Sequence, residues 1–306
     1  MRAVVTLERL PVDVDPPERV HALVPDRAFA QAVLAVDDAL DRDGHWSKIT
    51  RVIADIPGAR IWYEDTGGSG PAVVLLHARA GSAAMWKGQL GTFSAAGYRC
   101  IAYDRRQSGR TEVVPSTPDP LPADDLRALV DRLAIDRFHI VGTAAGGIVT
   151  LDLALSHPAH VRSLVFANSV GSAEIKQEPE YIAAAAQLRP ADELPPDVRE
   201  LGEWYRSRNP EGVKQWLDLA KETRLKKPPF PGTGNRITFA RLADLKVPVL
   251  LITGDMDPYT PPAVLEVFRS RMPHATALVI PNCGHSAFWE QPELFNRAVL
   301  EFLAKN

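Results

Sequence analysis

The sequence predicts an α/β fold, with a mostly parallel central sheet, helices on both faces and a helical segment inserted late in the chain. Three observations predict it. From about residue 50 to 170, short apolar runs alternate with helical patterns, as in strands joined by crossover helices. Strand-like runs then vanish over 171–244 and return over 245–306. Finally, the apolar Phe138-His139-Ile140-Val141 runs into Gly142-Thr143-Ala144-Ala145-Gly146, and a small-residue helical pattern (Ile148, Val149, Leu151, Leu153) leaves it.

Residues 1–49 are expected to form an extension. Pro11, Pro16 and Pro17 keep its start irregular, and Phe29, Val33, Val36 and Leu40 fall at the spacing of one helix. Residues 51–56 and 59–64 read as a hairpin about Pro57-Gly58, and 66–71 as a glycine-rich loop. Strands are expected over 72–76, 99–103, 138–142 and 161–166, with helices over 82–96, 124–133 and 145–156. The insertion at 171–244 is helical and is broken by Pro195-Pro196 and Pro228-Pro229-Phe230-Pro231. Strands at 247–253 and 275–280 and helices at 262–271 and 292–303 complete the core. Placed between two strands, the insertion would cover the carboxyl ends of the sheet, where open α/β sheets bind ligands.

Composition narrows the function. The 306 residues can bury a large core, and 45% hydrophobic with 24% charged residues is ordinary for a globular protein. A net charge of −3 argues against a nucleic-acid or anionic-membrane surface. No signal peptide is expected, and no run approaches the roughly 20 apolar residues of a membrane span. Two cysteines, Cys100 and Cys283, make no disulfide framework and fit a reducing compartment, so a cytoplasmic location is expected. No CxxC pair, HExxH or acidic calcium loop implies a metal.

The turn at 142–146 has the frame of a G-x-S-x-G nucleophile elbow, with Ala144 where the serine would stand. A serine nucleophile needs a base and an acid that orients it. Downstream, Gly254-Asp255-Met256-Asp257-Pro258 follows one strand and Asn282-Cys283-Gly284-His285 follows the last, in the order nucleophile, acid, histidine. In these motifs residues 50–306 resemble an α/β-hydrolase fold protein with a helical cap.

The resemblance implies Ala144 at the nucleophile position, His285 as base, in a G-H-x-x-x-x-E-x-P pattern with Glu290 and Pro292, and Asp257 as acid, with Asp255 the fallback. Asn168-Ser169 occupies the place where some relatives carry the acid. Leu76-His77-Ala78-Arg79-Ala80-Gly81 matches the family's H-G-x-x-G loop, with Ala78 at the usual first glycine, which implies the N–H groups of Arg79 and Ala145 as an oxyanion hole. His77 is expected to hold that loop, and the 103–111 turn to be structural, with Gln107 at a usual glycine. Arg79, Trp86, Phe288 and Trp204 are expected to contact substrate, Arg79 by pairing with a substrate carboxylate. Cys283 is expected to be packing.

The expected function is cofactor-free hydrolysis of small carboxylic esters, including carboxylate-bearing monoesters such as monoalkyl phthalates, by a Ser-His-Asp mechanism inactivated at Ala144. The alternatives are hydrolysis of a carbon–carbon bond in ring-cleavage products, lactone opening, and a non-catalytic ligand-binding protein on the same fold. The expected partner is a small-molecule ester.

Overall fold

A computed structural model describes residues 49–115, 118–186, 194–224 and 232–306. The expected extension over 1–49, with its helix, lies outside these residues apart from Ile49. Among these residues nine strands form one sheet in the order β1-β2-β4-β3-β6-β7-β8-β9, with β5 paired to β2. They are β1 (Thr50–Ile56), β2 (Ala59–Asp65), β3 (Ala72–Leu76), β4 (Arg99–Tyr103), β5 (Glu112–Val113), β6 (Phe138–Thr143), β7 (Val161–Ala167), β8 (Val249–Gly254) and β9 (Ala275–Ile280). From β4 across to β9 every pairing is parallel; β1, β2 and β5 form the antiparallel edge.

The first helices are α1 (Lys87–Ala95), α2 (Pro122–Arg132) and α3 (Ala145–Ser156). After the insertion come α9 (Pro262–Arg271), α10 (Ala287–Glu290) and α11 (Pro292–Leu303). Because side chains alternate across a strand, each buried strand serves two cores. Val74, Leu76, Ile101, Ile140, Leu164 and Leu251 face a cluster shared with α2, α3 and α9. Their neighbours Val73, Leu75, Ala102, Val141, Val165 and Leu250 are equally buried on the opposite face, where α1 and α11 bury Leu90, Phe93, Phe295 and Val299. That double burial is why the central strands read as continuous apolar runs.

Two expectations differ in detail. The helix expected over 82–96 opens as a separate 3-10 turn, Ala83–Trp86, whose first N–H is tied at 2.7 Å to the buried Asp104 carboxylate. Strand β8 starts at Val249, not 247, because Pro248 has no N–H to give the ladder. Between β7 and β8 the described residues form α4 (Pro179–Ala185), α5 (Pro196–Glu200), α6 (Glu203–Arg208), α7 (Pro210–Arg224) and α8 (Phe239–Ala243), with one 3-10 turn and no strand. No helix among the described residues is long and apolar enough to cross a membrane.

The 103–111 turn fastens the antiparallel edge to the core. Arg106 donates to both carboxylate oxygens of Asp125 on α2, at 2.9 and 2.6 Å, and to the carbonyls of Pro57 and Gly58 in the β1–β2 turn. Both side chains of the pair are nearly buried. Removing one partner from such a pair leaves an uncompensated charge, at about 3–5 kcal/mol. Arg106→Ala is therefore expected to lower the unfolding free energy by about 3–5 kcal/mol. Urea denaturation measures this, and a loss below about 1 kcal/mol would make the pair ornamental.

Candidate active site

Strand β6 ends at Thr143 and α3 begins at Ala145, so Ala144 is the turn between them. It is held at φ 49° and ψ −115°, a conformation costing about 1–3 kcal/mol for a residue with a β-carbon. The Ala144 N–H donates to the Ala167 carbonyl at 3.0 Å, and its own carbonyl accepts from Gly147 N–H at 3.0 Å and the Ser169 hydroxyl at 2.6 Å. The flanking glycines are steric necessities. A β-carbon on Gly142 would lie 2.6 Å from the Gly146 backbone, and one on Gly146 would lie 2.3 Å from the Leu76 carbonyl oxygen. That close approach sets the elbow against the end of β3 and the 77–81 loop.

The loop is pinned from below. His77 is fully buried; its Nδ1 donates to the Ala78 carbonyl at 2.6 Å and its Nε2 accepts from Arg105 N–H at 3.0 Å. Burial, then the Arg105 charge, hold its pKa well below the usual histidine value, so it stays neutral. The Arg105 guanidinium donates to the same Ala78 carbonyl at 3.1 Å. Ala78 takes no positive φ, so its methyl group fits where the related loops have glycine.

Opposite the elbow, His285 meets Asp257. The imidazole Nδ1 lies 3.0 and 2.9 Å from the two carboxylate oxygens. The carboxylate is fully engaged: Oδ1 accepts from the N–H groups of Tyr259 (2.8 Å) and Thr260 (3.0 Å), and Oδ2 from Asn168 Nδ2 (3.0 Å) and the Thr260 hydroxyl (2.5 Å). Burial alone would raise the Asp257 pKa. The His285 charge and the hydrogen bonds from His285, Asn168 and Thr260 overcome it and hold the carboxyl well below the usual range. Burial likewise pulls His285 down, but Asp257 outweighs it and the histidine pKa ends above 6.5. The Tyr259 ring packs on the imidazole, centroids 4.4 Å apart. Asp255 is exposed and accepts from Cys283 N–H at 3.1 Å, so it braces the histidine loop without reaching His285. Cys283 is buried, and burial pushes its thiol pKa far up.

A cavity opens beside these groups, lined by Ala78, Thr143 and His285 from the core and by Met85, Trp216 and Phe288 as its apolar walls. Phe288 lies there as expected, but three other expected contacts do not. Trp86 is fully buried beneath Phe288, ring centroids 4.6 Å apart, because its large apolar surface completes the core. Trp204 turns its ring to the Arg208 guanidinium at 4.8 Å. The Arg79 side chain is exposed and outside the lining, while its loop is anchored inward through His77. The charged side chain in the lining is Glu200, which the sequence did not single out. Asn168, Thr260 and Tyr259 were also missed as site residues, whereas Trp216 is one of the insertion's aromatics that the sequence offers as a pocket wall. Asn168 stood in the right place to be noticed, as an amide where an acid was the alternative.

Glu290 joins the histidine loop to the insertion. Its carboxylate accepts from Gly284 N–H (2.9 Å) and Ser286 N–H (3.0 Å) on either side of His285, and from Gly202 N–H (2.7 Å). Burial pushes its pKa up to about 7, against the pull of those three N–H donors. A raised carboxyl pKa favours the native state below the unfolded value near 4.5, and that contribution is lost as pH rises through about 7. Raised His285 adds a loss in the same direction. Both Glu290 oxygens accept backbone N–H groups. Glu290→Gln puts an NH2 group in the place of one of them and removes the titration, leaving an N–H unpaired at about 1–3 kcal/mol. The variant is expected to be less stable at about pH 5 and to lose less further stability by about pH 8 than its parent. Urea titrations at both pH values check this, and parallel losses would remove Glu290 as the titrating group.

Comparison with known proteins agrees with this architecture. The profile of the alpha/beta hydrolase family matches residues 73–298. A 2-hydroxy-6-oxononadienedioate/2-hydroxy-6-oxononatrienedioate hydrolase from Burkholderia vietnamiensis is 30% identical over 291 residues, 88% of this chain and 99% of the relative. The enol-lactonase of Burkholderia xenovorans superposes with a TM-score of 0.67 at 23% identity, covering 82% of this chain and 99% of its own. A thermophilic esterase from Thermogutta terrifontis gives 0.67 at 24% identity over 85% and 99%. At those identities the two structures speak to the fold alone. On the family match and the 30% identical relative, the chain belongs to the alpha/beta hydrolase family.

Proposed function

We propose that this chain is the frame of a hydrolase of small carboxylic esters, with Ala144 at the position of the nucleophile. The observation that carries the reading is the backbone of Ala144, kept at φ 49° and ψ −115° between two glycines that permit no β-carbon. A methyl group gains nothing from that strain. A hydroxyl would be lifted out of the sheet toward a ligand.

With serine at 144, the hydroxyl oxygen attacks the ester carbonyl as its proton passes to His285 Nε2. Asp257, charged and saturated with hydrogen bonds, keeps Nδ1 protonated and Nε2 free to accept. The N–H groups of Arg79 and Ala145 hold the oxyanion. The imidazolium then returns its proton to the departing alcohol, and a water deprotonated by His285 releases the acid. As the sequence stands, the first bond cannot form, so the chain binds ester without forming an acyl-enzyme. Arg79 is exposed and outside the described lining, so carboxylate-bearing monoesters such as monoalkyl phthalates form a separate arm of the test.

A second reading is carbon–carbon bond hydrolysis of a ring-cleavage product, favoured by the Burkholderia vietnamiensis relative, which is matched over nearly its whole length. It uses the same elbow, dyad and oxyanion donors.

The test compares the chain with its Ala144→Ser variant on neutral esters, monoalkyl phthalates and a 2-hydroxy-6-oxodienoate. Loss of a serine nucleophile costs on the order of a million-fold in subtilisin, so a gain of at least about a thousand-fold on neutral esters is expected. No gain on any ester would overturn the ester reading, and a gain confined to the dienoate would install the second. In the active variant kcat/KM is expected to fall on the acid side with a midpoint above 6.5, because His285 must be neutral to accept a proton.

A further inference from the structure

Helix α5 ends at Glu200, whose side chain lines the cavity together with His285. That side chain is 14% exposed. Its charged neighbour is Arg199, with Nε 3.8 Å from Oε1, too far for a hydrogen bond. Among the described residues no N–H or O–H donates to the Glu200 carboxylate. The described lining otherwise consists of apolar side chains, two hydroxyl residues and His285, with no lysine or arginine among them. The Glu200 charge also reaches the imidazole, adding to that of Asp257 in favouring its protonated form.

A carboxylate in this position is costly unless something cationic or hydrogen-donating meets it. His285 gives its Nδ1 to Asp257 and presents its other nitrogen to the reaction. The Glu200 carboxylate keeps some solvent access, and among the described residues Arg199 alone stands near it as a cation. A hydrogen-donating cationic group of a ligand can therefore reach it from the cavity. We propose that Glu200 makes this cavity select esters bearing a protonated amine and reject esters bearing a second carboxylate. The proposal rests on the ester reading for the reaction and adds the charge of the substrate. An ammonium against Glu200 trades water for a charge-assisted hydrogen bond in a half-desolvated site. A substrate carboxylate in the same place meets like charge and keeps none of its hydration.

Ala144 allows the test to be made by binding, without turnover. Calorimetry at pH 7 compares propyl benzoate, 3-(dimethylamino)propyl benzoate and monopropyl phthalate against the chain as it stands and against Glu200→Gln. The aminoalkyl ester is expected to bind about tenfold more tightly than the neutral ester, and the phthalate more weakly than either. Glu200→Gln is expected to bring the amine and neutral esters within about twofold. Equal affinities in the parent, a preference that survives Glu200→Gln, or no binding of any of the three would each overturn the proposal. Failure of the ester reading is read separately, as absence of hydrolysis by Ala144→Ser whatever the order of affinities.

Discussion

The contact between the elbow and the end of β3 governs the rest of the site. Gly146 passes so close to the Leu76 carbonyl that a single β-carbon would sit 2.3 Å from it. That distance puts Ala144 and Ala145 beside the 77–81 loop, so two segments about 65 residues apart in sequence share one small space. The parallel pairing of β3 with β6, in register from Ala72 opposite Phe138 to Leu76 opposite Gly142, delivers both segments to the same sheet edge. The glycines then let them touch. Were either turn bulkier, the backbone N–H groups and position 144 would separate, and the dyad on the far strands would have nothing to act with.

Charge is managed with equal economy of position. Asp257 is buried, and a buried carboxylate survives as an anion only with donors on every side. Two backbone N–H groups, the Thr260 hydroxyl, Asn168 and His285 supply them. Asn168 comes from the end of β7, where an acid is the other option in related chains. A second carboxylate there would repel Asp257 instead of donating to it. The amide is thus the counterpart of placing the acid after β8. Glu200 stands outside this network, on the insertion, and its field falls on the same imidazole.

Much of this was legible in the sequence. The central strands were readable because burial on both faces leaves few polar positions in them, and the elbow because its glycines are separated by a fixed spacing. Asp257 and His285 were found by their order and their strand-end positions. What escaped was anything set by the direction of a side chain. Trp86 and Trp204 have the chemistry of pocket walls, yet one completes the core and the other lies on Arg208. Arg79 has the chemistry of a carboxylate clamp but lies outside the described cavity lining. Glu200 looks, in sequence, like one more surface acid close to Asp197 and Arg199. Only the path of the insertion over the sheet gives it His285 as a neighbour. Strand β5, two residues long, is held by its pairing with β2 and has no pattern of its own.

The three N–H groups gathered by Glu290 have a bearing on how such proteins diversify. One belongs to the insertion, at Gly202, and two flank the histidine. A β-carbon on Gly202 would stand 2.9 Å from Gly284 N and 3.0 Å from Glu290 Oε2, so the insertion must cross this point as bare backbone. Helical segments borrowed from related proteins are therefore not freely exchangeable parts. A graft that keeps every pocket-lining side chain but shifts the chain at residue 202 would leave the histidine loop with an altered anchor. Recombination between relatives would succeed where the donor segment brings its own glycine to that crossing.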